Sequence, residues 1–285
     1  MNNFNETTLK EYYKNHSTKE TIFHFGISYS KIRYYLRKFD IRKEDGYCRK
    51  QAWLDIPSQY QKEIIDGMLL GDATLAKVDN KFFNSKIQNT QGNSQKNYNF
   101  WKSQELNNYI TKEPKQDKKS LNWRFYTRVN PYFTELEKKW YKRDESNNYV
   151  LNQNNQRTKI IPQDLKLTPT VLMVWYLDDG YWNSKKRQIT LCTECFTREE
   201  CEFLVHKLQV EFDLSDTYWS NIRKTKPRIY ITSKSTKKFI DIIKDSIPCN
   251  CMKYKVDLSN YTDPISRNKR RGFRQLNYKT QLLNN

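Results

Sequence analysis

Two aspartates stand where two strongly apolar segments end, and they are the residues of this sequence best suited to chemistry. Asp72 lies in the segment Leu69–Ala73, and Asp179 lies in the segment Tyr176–Gly180. The residues before each acid are apolar all round, which predicts two buried helices. The C-terminus of a helix carries partial negative charge and favours cations, so an aspartate at each end is unexpected on helix stability alone.

The two acids would meet if their helices packed side by side about a pseudo-twofold axis. Gly67 and Gly71 lie four residues apart on the first helix and would allow close backbone approach. Paired carboxylates favour hard divalent cations, and oxygen ligands suit Mg²⁺. This arrangement suits metal-assisted displacement at phosphorus.

The elements that would position the acids occur twice along the chain. Each copy is predicted to read helix, hairpin, helix, hairpin, helix, and the boundaries are 58–162 for repeat 1 and 163–262 for repeat 2. The two second hairpins end alike, in Arg124-Phe-Tyr-Thr and Arg228-Ile-Tyr-Ile-Thr. The other elements predicted after the motif helices are strands at Thr74–Lys77, Phe82–Thr90 and Gln188–Phe196, and helices at Asn97–Tyr109, Pro131–Tyr141, Arg198–Phe212 and Thr236–Ser246.

The first forty residues predict a small helical module. Helices are expected at Thr8–Asn15, Thr18–Phe25 and Tyr29–Phe39, with Gly26 in the turn and Ser28 capping the third helix. This pattern resembles a helix-turn-helix, although a helical hairpin packed on the rest of the protein would look similar. In the DNA-binding interpretation the third helix presents Tyr29, Ser30, Lys31, Arg33, Tyr34 and Arg37 to the groove or phosphates. The module spans 1–43, a linker follows at 44–57, and a basic tail occupies 263–285.

The overall charge points to an anionic partner. The chain has 285 residues and a formal net charge of +19, with 51 Lys and Arg against 32 Asp and Glu. No apolar run approaches the roughly 18 residues that a membrane span requires, and no targeting signal is recognisable. Six scattered cysteines fit a reducing interior. We therefore expect an intracellular protein without a membrane partner, from a bacterial or viral cytoplasm or encoded in an organelle.

The two acid-bearing segments resemble the LAGLIDADG motif of homing endonucleases. The first match is Ile65–Ala73 and the second is Leu172–Gly180. Leu167-Thr-Pro, Ile189-Thr-Leu-Cys-Thr and Met252-Lys-Tyr-Lys also look like that family, so the resemblance covers about 57–258. In the second motif Val174 stands where small residues are usual and Asp178 where the first motif has Gly71, which predicts a looser or asymmetric helix contact. Asp178 could support the acids without binding metal.

The resemblance implies an α+β fold with two pseudo-symmetric αββαββα repeats that form a DNA-binding saddle, behind the N-terminal all-α module. It implies that Asp72 and Asp179 bind the metal and catalyse phosphodiester hydrolysis, with Ala73 and Gly180 beside them in the metal site. Lys159 and Lys255 match the basic residues near the scissile phosphates. The expected cofactor is Mg²⁺, with Mn²⁺ as a substitute, and cleavage would leave short 3′ overhangs.

Basic and polar residues on the strands are the candidates for contact with double-stranded DNA. They are Lys86, Gln88, Lys118, Arg124, Arg128, Arg187, Arg223, Lys226 and Arg228. The main hypothesis is a monomeric, site-specific DNA endonuclease. Two alternatives stay open, namely a maturase that binds its host intron RNA and a DNA-binding regulator without catalysis.

A zinc site is a weaker alternative for the cysteines. Cys192 and Cys195 could combine with Cys249 and Cys251, but strand alternation would put the first pair on opposite faces.

Overall fold

The computed structural model describes residues 4–16, 18–39, 41, 55–77, 84–222 and 226–259. The chain divides into two units, Met1–Ile56 and Pro57–Asn285. Most of the predicted linker, the basic tail and Arg223 lie outside the described residues. None of the described helices is long and apolar enough to cross a membrane.

The N-terminal unit consists of helices α1 (Glu6–Asn15), α2 (Thr18–Phe25) and α3 (Tyr29–Lys38). Local chemistry sets two of the helix starts. The Asn5 side chain accepts from the backbone N–H of Thr8 at the start of α1, and Ser28 Oγ accepts from Lys31 N at 3.3 Å at the start of α3. Gly26 joins α2 to α3 with a φ of +62°, a left-handed conformation that favours glycine. Leu9, Ile32 and Ile41 form the small core of the N-terminal unit.

Repeat 1 and repeat 2 share one order of elements. Repeat 1 contains α4 (Gln59–Leu70), β1 (Thr74–Lys77), β2 (Ser85–Gln91), α5 (Lys96–Glu105), β3 (Lys115–Gln116), β4 (Trp123–Tyr126) and α6 (Pro131–Trp140). Repeat 2 contains α7 (Pro169–Asp179), β5 (Gly180–Asn183), β6 (Gln188–Leu191), α8 (Arg198–Phe212), β7 (Thr217–Ile222), β8 (Lys226–Ile231) and α9 (Ser233–Ile243). Both sheets are antiparallel, and their strand orders, β1-β2-β4-β3 and β5-β6-β8-β7, are equivalent. The predicted α+β architecture with two αββαββα repeats is confirmed.

Each sheet turns one face to the core and one face outward. On β2 the side chains of Ser85, Ile87, Asn89 and Gln91 are buried, and the residues between them are partly exposed. On β8 Pro227, Ile229 and Ile231 are buried in the same alternating way. Helices cover the inward faces, so the outward faces remain available to a partner.

The two motif helices, α4 and α7, pack against each other at the centre of the larger unit. A Cβ atom added to Gly67 would lie 2.7 Å from Val174 Cβ, and one added to Gly71 would lie 2.4 Å from Asp178 Cβ. Of the two kinds of helix contact expected at Val174 and Asp178, looser or asymmetric, the looser one is therefore not observed. Gly67 of α4 and Gly71, which follows this helix, each face a larger side chain of α7, so the contact is close and asymmetric.

Several predicted elements differ in their ends. The helix expected at Thr236–Ser246 begins earlier, at Ser233, and ends at Ile243, where a 3₁₀ turn at Lys244–Ser246 follows. The strand expected at Gln188–Phe196 stops at Leu191, and the backbone turns so that Phe196 N donates to Thr193 O at 3.0 Å. In the observed register Cys192 would lie opposite Arg228 and Thr193 opposite Pro227. Pro227 has no N–H to continue the ladder, and the Thr193 hydroxyl donates to its carbonyl instead. The helix expected at Asn97–Tyr109 ends at Glu105 and is followed by a 3₁₀ turn at Asn107–Tyr109.

Candidate active site

The two aspartates occupy equivalent positions at the ends of the paired helices. Asp72 lies between α4 and β1, separated from them by Gly71 and Ala73, whereas Asp179 is the last residue of α7 and directly precedes β5. Asp72 is exposed and Asp179 is partly buried. Burial, followed by the nearby charges of Asp72 and Asp178, raises the pKa of Asp179 to about 7. The close packing of the motif helices thus brings three carboxyl groups together, and their mutual repulsion favours a bound cation.

A hydrogen-bonded layer beneath Asp72 was not anticipated from the sequence. We call Asn89, Gln91, Lys102 and Asp178 the polar layer. Gln91 Nε2 donates to Asp72 Oδ2 at 2.7 Å and to Asp178 Oδ1 at 3.0 Å. Lys102 Nζ lies 2.8 Å from Asp178 Oδ1 and 3.1 Å from Asn89 Oδ1, and the side chains of this ion pair are fully buried.

The sequence did contain a signal for this layer. Asn89 and Gln91 stand on the inward side of the β2 alternation, where apolar residues are the rule, and Lys102 is a buried residue in the last turn of α5, which packs on that strand. Polar residues at such positions require partners within the protein. Asp178 supplies that partner from the other repeat, and burial raises the pKa of its carboxyl against the opposing charge of Lys102.

The two predicted catalytic lysines lie under the helix ends. Lys159 Nζ donates to the carbonyl oxygens of Leu69 at 2.6 Å, Gly71 at 3.2 Å and Ala73 at 3.0 Å. The C-terminus of a helix carries partial negative charge, which favours cations. Here the Lys159 ammonium is the cation at the C-terminal end of α4. Burial lowers the pKa of the Lys159 ammonium, and the nearby acids oppose that effect.

Lys255 binds backbone carbonyl groups at the C-terminal end of α7 in the same way. Its ammonium donates to the carbonyl oxygens of Tyr176 at 3.4 Å and Asp178 at 3.3 Å, and also to that of Leu177. Burial lowers the pKa of Lys255 as well. Both lysines have their N–H groups committed to backbone carbonyls, so they serve as fixed positive charges beneath the acids.

The donor set at the acids consists of oxygen atoms. Within the described residues, no group of three or more His, Cys, Asp and Glu side chains is arranged to hold a metal ion. A cation at Asp72 and Asp179 would therefore need water, backbone or substrate oxygens to complete its coordination. The Ala73 carbonyl already accepts from Lys159, and Gly180 pairs with Leu191 in the sheet.

The cysteines do not assemble into a zinc site in the described part of the chain. Cys192 and Cys195 lie in the turn after β6, and Cys192, Cys195, Cys201, Cys249 and Cys251 are free. The Sγ atoms of Cys249 and Cys251 are 3.1 Å apart.

The family model described as the LAGLIDADG DNA endonuclease family matches residues 62–239, which include both motif segments and both sheets. The chain belongs to the LAGLIDADG DNA endonuclease family. This membership confirms the interpretation of the two acid-bearing segments as LAGLIDADG motifs. Membership also assigns this protein to an activity class, the hydrolysis of phosphodiester bonds in DNA.

Three known proteins show the similarity in detail. "Probable intron-encoded endonuclease 1" of Wickerhamomyces canadensis is 27% identical over 231 residues, which cover 73% of this chain and 87% of that protein. "Cytochrome b mRNA maturase bI2" of Saccharomyces cerevisiae is 31% identical over 117 residues, which cover 40% of this chain and 26% of that protein. The solved structure of the homing endonuclease I-WcaI bound to its DNA recognition sequence is 25% identical, with a TM-score of 0.60, and the match covers 73% of this chain and 91% of that one.

The outward face of the repeat 1 sheet of this LAGLIDADG protein carries several of the predicted DNA-contact residues. Lys86 and Gln88 alternate outward on β2, and Arg124 lies opposite Thr90 on β4. Lys86 Nζ sits 4.4 Å from the centre of the Tyr126 ring, and Arg124 Nε donates to Thr90 Oγ1 at 3.1 Å. Lys118 lies exposed in the turn between β3 and β4. The guanidinium carbon of Arg128 lies 5.5 Å from the Tyr109 ring centre.

The repeat 2 face differs in character. Tyr181, Tyr230 and Tyr218 form a row across β5, β8 and β7, and the last two rings stack with centroids 5.4 Å apart. Arg228 forms an ion pair with Glu194 and donates to Tyr181 OH at 3.5 Å. The remaining predicted contacts described on this side are Lys226, which is exposed, and Arg187, which is partly exposed in the β5–β6 turn.

The N-terminal unit exposes all six side chains predicted to contact DNA. Tyr29, Ser30, Lys31, Arg33, Tyr34 and Arg37 are all exposed on α3. Ile32 is fully buried on the opposite side of the helix and holds it to the core. The Arg33 NH1 group donates to Tyr29 OH at 3.3 Å.

Proposed function

We propose that this protein is a site-specific endonuclease that cuts both strands of a DNA duplex and uses Asp72 and Asp179 as its metal-binding acids. The observation that carries the proposal is the position of one acid from each repeat at the paired ends of α4 and α7, close before the first strand of its sheet. The acid of each repeat provides a catalytic centre for one of the two DNA strands.

The residues present fit a divalent cation, and Mg²⁺ is the proposed ion with Mn²⁺ as a substitute. Asp72 and Asp179 would hold it, together with Ala73 and Gly180 as their neighbours. Burial, followed by repulsion from Asp72 and Asp178, raises the pKa of Asp179, and a cation offsets that repulsion. When bound, it supplies positive charge that activates water and stabilises the leaving oxygen.

The chain's own side chains prepare this centre. Gln91 orients the Asp72 carboxylate through a 2.7 Å hydrogen bond. Lys159 and Lys255 place positive charge under the acids, which stabilises the charge that develops on the phosphate. Their N–H groups are bonded to backbone carbonyls, so we assign them an electrostatic role and not proton transfer.

Double-stranded DNA is the proposed partner, and the outward sheet faces are its proposed binding surface. Lys86, Gln88, Arg124, Arg228 and Lys226 are the strand residues best placed for base edges and phosphates. Because one chain supplies both acids, a monomer is sufficient for double-strand cleavage. The salt dependence of binding should be steep, as expected for many cationic contacts to phosphate.

The exposed face of α3 is a second proposed DNA-binding surface. Replacing Arg33 and Arg37 with Ala would reduce the slope of log affinity against log salt by about 2 if both contact phosphates. Replacing Lys10 and Lys138, which lie on other helices, gives a charge-matched control. An equal effect of the two double variants would count against recognition through α3.

The direct test is incubation of the protein with Mg²⁺ and DNA that spans the uninterrupted insertion site of its own gene. We expect double-strand cleavage by the wild type, and loss of cleavage with retained DNA affinity for Asp72→Asn and Asp179→Asn. Lack of cleavage by the wild type, with tight binding to intron RNA, would overturn the proposal in favour of the maturase alternative.

A further inference from the structure

The polar layer lies beneath one of the two acids and joins the two repeats. Lys102 comes from α5 of repeat 1, and Asp178 comes from α7 of repeat 2. Asp178 Oδ1 accepts from both Lys102 and Gln91, and its Oδ2 accepts from the backbone N–H of Asp72 at 3.4 Å. Asp178 is therefore linked to Asp72 in two ways. It accepts a hydrogen bond from the Asp72 backbone N–H, and Gln91 bridges the two carboxylates.

The strand pairings identify the equivalent positions in repeat 2. Thr74 pairs with Gln88, and Tyr181 pairs with Thr190, so β2 and β6 are in the same register relative to the acids. In this register Asn89 corresponds to Leu191, and Gln91 corresponds to Thr193. Helices α5 and α8 begin equally far beyond these residues, so Lys102 corresponds to Leu204 and Asp178 corresponds to Gly71.

The repeat 2 positions have a different chemistry. Leu191 and Leu204 are fully buried apolar residues, and Gly71 has no side chain. The Thr193 hydroxyl donates to the Pro227 carbonyl at 3.0 Å, so it is directed at the neighbouring strand. The acid of repeat 2, Asp179, thus lies above an apolar layer, whereas Asp72 lies above the polar layer.

Stability alone is a poor reason for the polar layer. A buried ion pair gains little net stability over apolar side chains of similar volume, because both charges lose their hydration. Repeat 2 builds the same fold with leucines at the positions of Asn89 and Lys102. Retention of the costlier arrangement on one side indicates a role at the Asp72 centre.

We infer that Lys102 and Asp178 are positioning residues that hold Gln91 against Asp72 and so make the two catalytic centres unequal. Lys102 fixes Asp178 from below, with its ammonium 4.3 Å from the centre of the Tyr98 ring. Asp178 and Asp72 then receive the two N–H groups of Gln91, which sets the orientation of the Asp72 carboxylate. This inference rests on the proposed endonuclease function.

The test measures the cleavage rate of each strand separately, on a duplex labelled at both ends, for Lys102→Met and Gln91→Leu. We expect both variants to slow the same single strand by about 10–100-fold in kcat, with the other strand and the affinity for DNA in EDTA changed less than about threefold. Leu204→Met, at the equivalent position of repeat 2, is the control and should leave both rates near the wild-type values.

A double variant separates positioning from folding. Lys102→Met alone leaves Asp178 buried without its partner and should destabilise the protein, whereas Lys102→Met with Asp178→Asn should restore the unfolding midpoint but not the rate of the slowed strand. Recovery of that rate together with the midpoint would overturn the inference, because the pair would then be structural.

A readout without metal completes the test. The side-chain amide signals of Gln91 in the ¹⁵N-labelled, metal-free protein can be assigned by their loss in Gln91→Leu. We expect Lys102→Met to shift them and Leu204→Met to leave them in place. A wild type that cuts neither strand contradicts the proposed function, whereas a wild type that cuts and a Lys102→Met variant that slows both strands equally contradict only this inference.

Discussion

Asp178 fills the space that a side chain at Gly71 would need, since a Cβ atom added to Gly71 would lie 2.4 Å from Asp178 Cβ and 2.9 Å from its Oδ2. The two residues are equivalent members of the two motifs, and they differ in the way that close packing requires. Asp178 therefore lies between the C-terminal ends of the two motif helices, where it accepts hydrogen bonds from Gln91 and Lys102.

The first prediction concerns this helix contact one turn away. A Cβ at position 67 would lie 2.7 Å from Val174 Cβ and 2.9 Å from the Val171 carbonyl oxygen, so Gly67→Ala should destabilise the protein by about 1–3 kcal/mol. Urea unfolding measures the change. Gly92→Ala is the control, because a Cβ at Gly92 would meet nothing within 4 Å.

Removal of the opposing methyl groups should restore part of the lost stability. We expect the loss of stability in the double variant Gly67→Ala/Val174→Ala to be smaller than the sum of the losses in the two single variants, since the residues are in contact. If Gly67→Ala costs no more than Gly92→Ala, the helices are not packed as closely as described.

The second prediction concerns the lysines that close the motif helices. Lys159→Met keeps most of the buried stem but leaves the carbonyls of Leu69, Gly71 and Ala73 without the ammonium donor. We expect a loss of about 1–3 kcal/mol in the metal-free protein, measured by urea unfolding. Lys255→Met should behave alike. Lys139→Met, at a side chain that is 53% exposed, should stay within about 0.5 kcal/mol of the wild type.

The third prediction is a pH dependence of stability that arises at Asp66. Burial, followed by the charge of Asp164, raises the pKa of Asp66 from its ordinary 3.8 to about 7. Between these values the folded protein retains a proton that the unfolded chain releases, so the contribution of Asp66 to the free energy of unfolding falls as pH rises.

Asp66→Asn should remove this loss. The variant should be more stable than the wild type by about 1–3 kcal/mol at pH 8, and the difference should become small towards pH 4. Glu135→Gln, an exposed change of the same charge, should show no such trend. A constant difference for Asp66→Asn across the pH range would contradict the raised pKa.

The fourth prediction concerns the proposed DNA-binding surface of repeat 2. Glu194 forms an ion pair with Arg228, and an acid at this place competes with phosphate for the arginine. Glu194→Gln should therefore tighten DNA binding several-fold and make the slope of log affinity against log salt steeper by about 1. Fluorescence anisotropy at several salt concentrations measures both quantities.

Glu135→Gln is again the matched control, because Glu135 lies on α6, and α6 packs on the repeat 1 sheet through buried Phe133 and Leu136. It should change the affinity less than Glu194→Gln does. Equal effects of the two variants would mean that only net charge matters and that Arg228 does not contact DNA.

Local chemistry made several elements predictable. The helix at Arg198–Phe212 begins after Thr197 because Thr197 and Glu200 form a capping box, and the sequence shows both residues at the required spacing. The helices Thr18–Phe25 and Pro131–Trp140 were predicted closely for similar reasons of periodicity and capping. The end of β6 was missed, since it depends on Pro227, which reaches this position from a distant hairpin.

The sequence by itself determined the two-repeat fold, the pair of acids and the family, because apolar periodicity and a motif at the end of each buried helix are local properties. Only the tertiary structure decided that Asp178 faces Gly71, that Lys102 and Gln91 reach it, and that Lys159 and Lys255 close the motif helices. These contacts join residues from different elements, and their formation depends on how closely two helices can approach. That distance is set by packing of the whole core and not by any single segment.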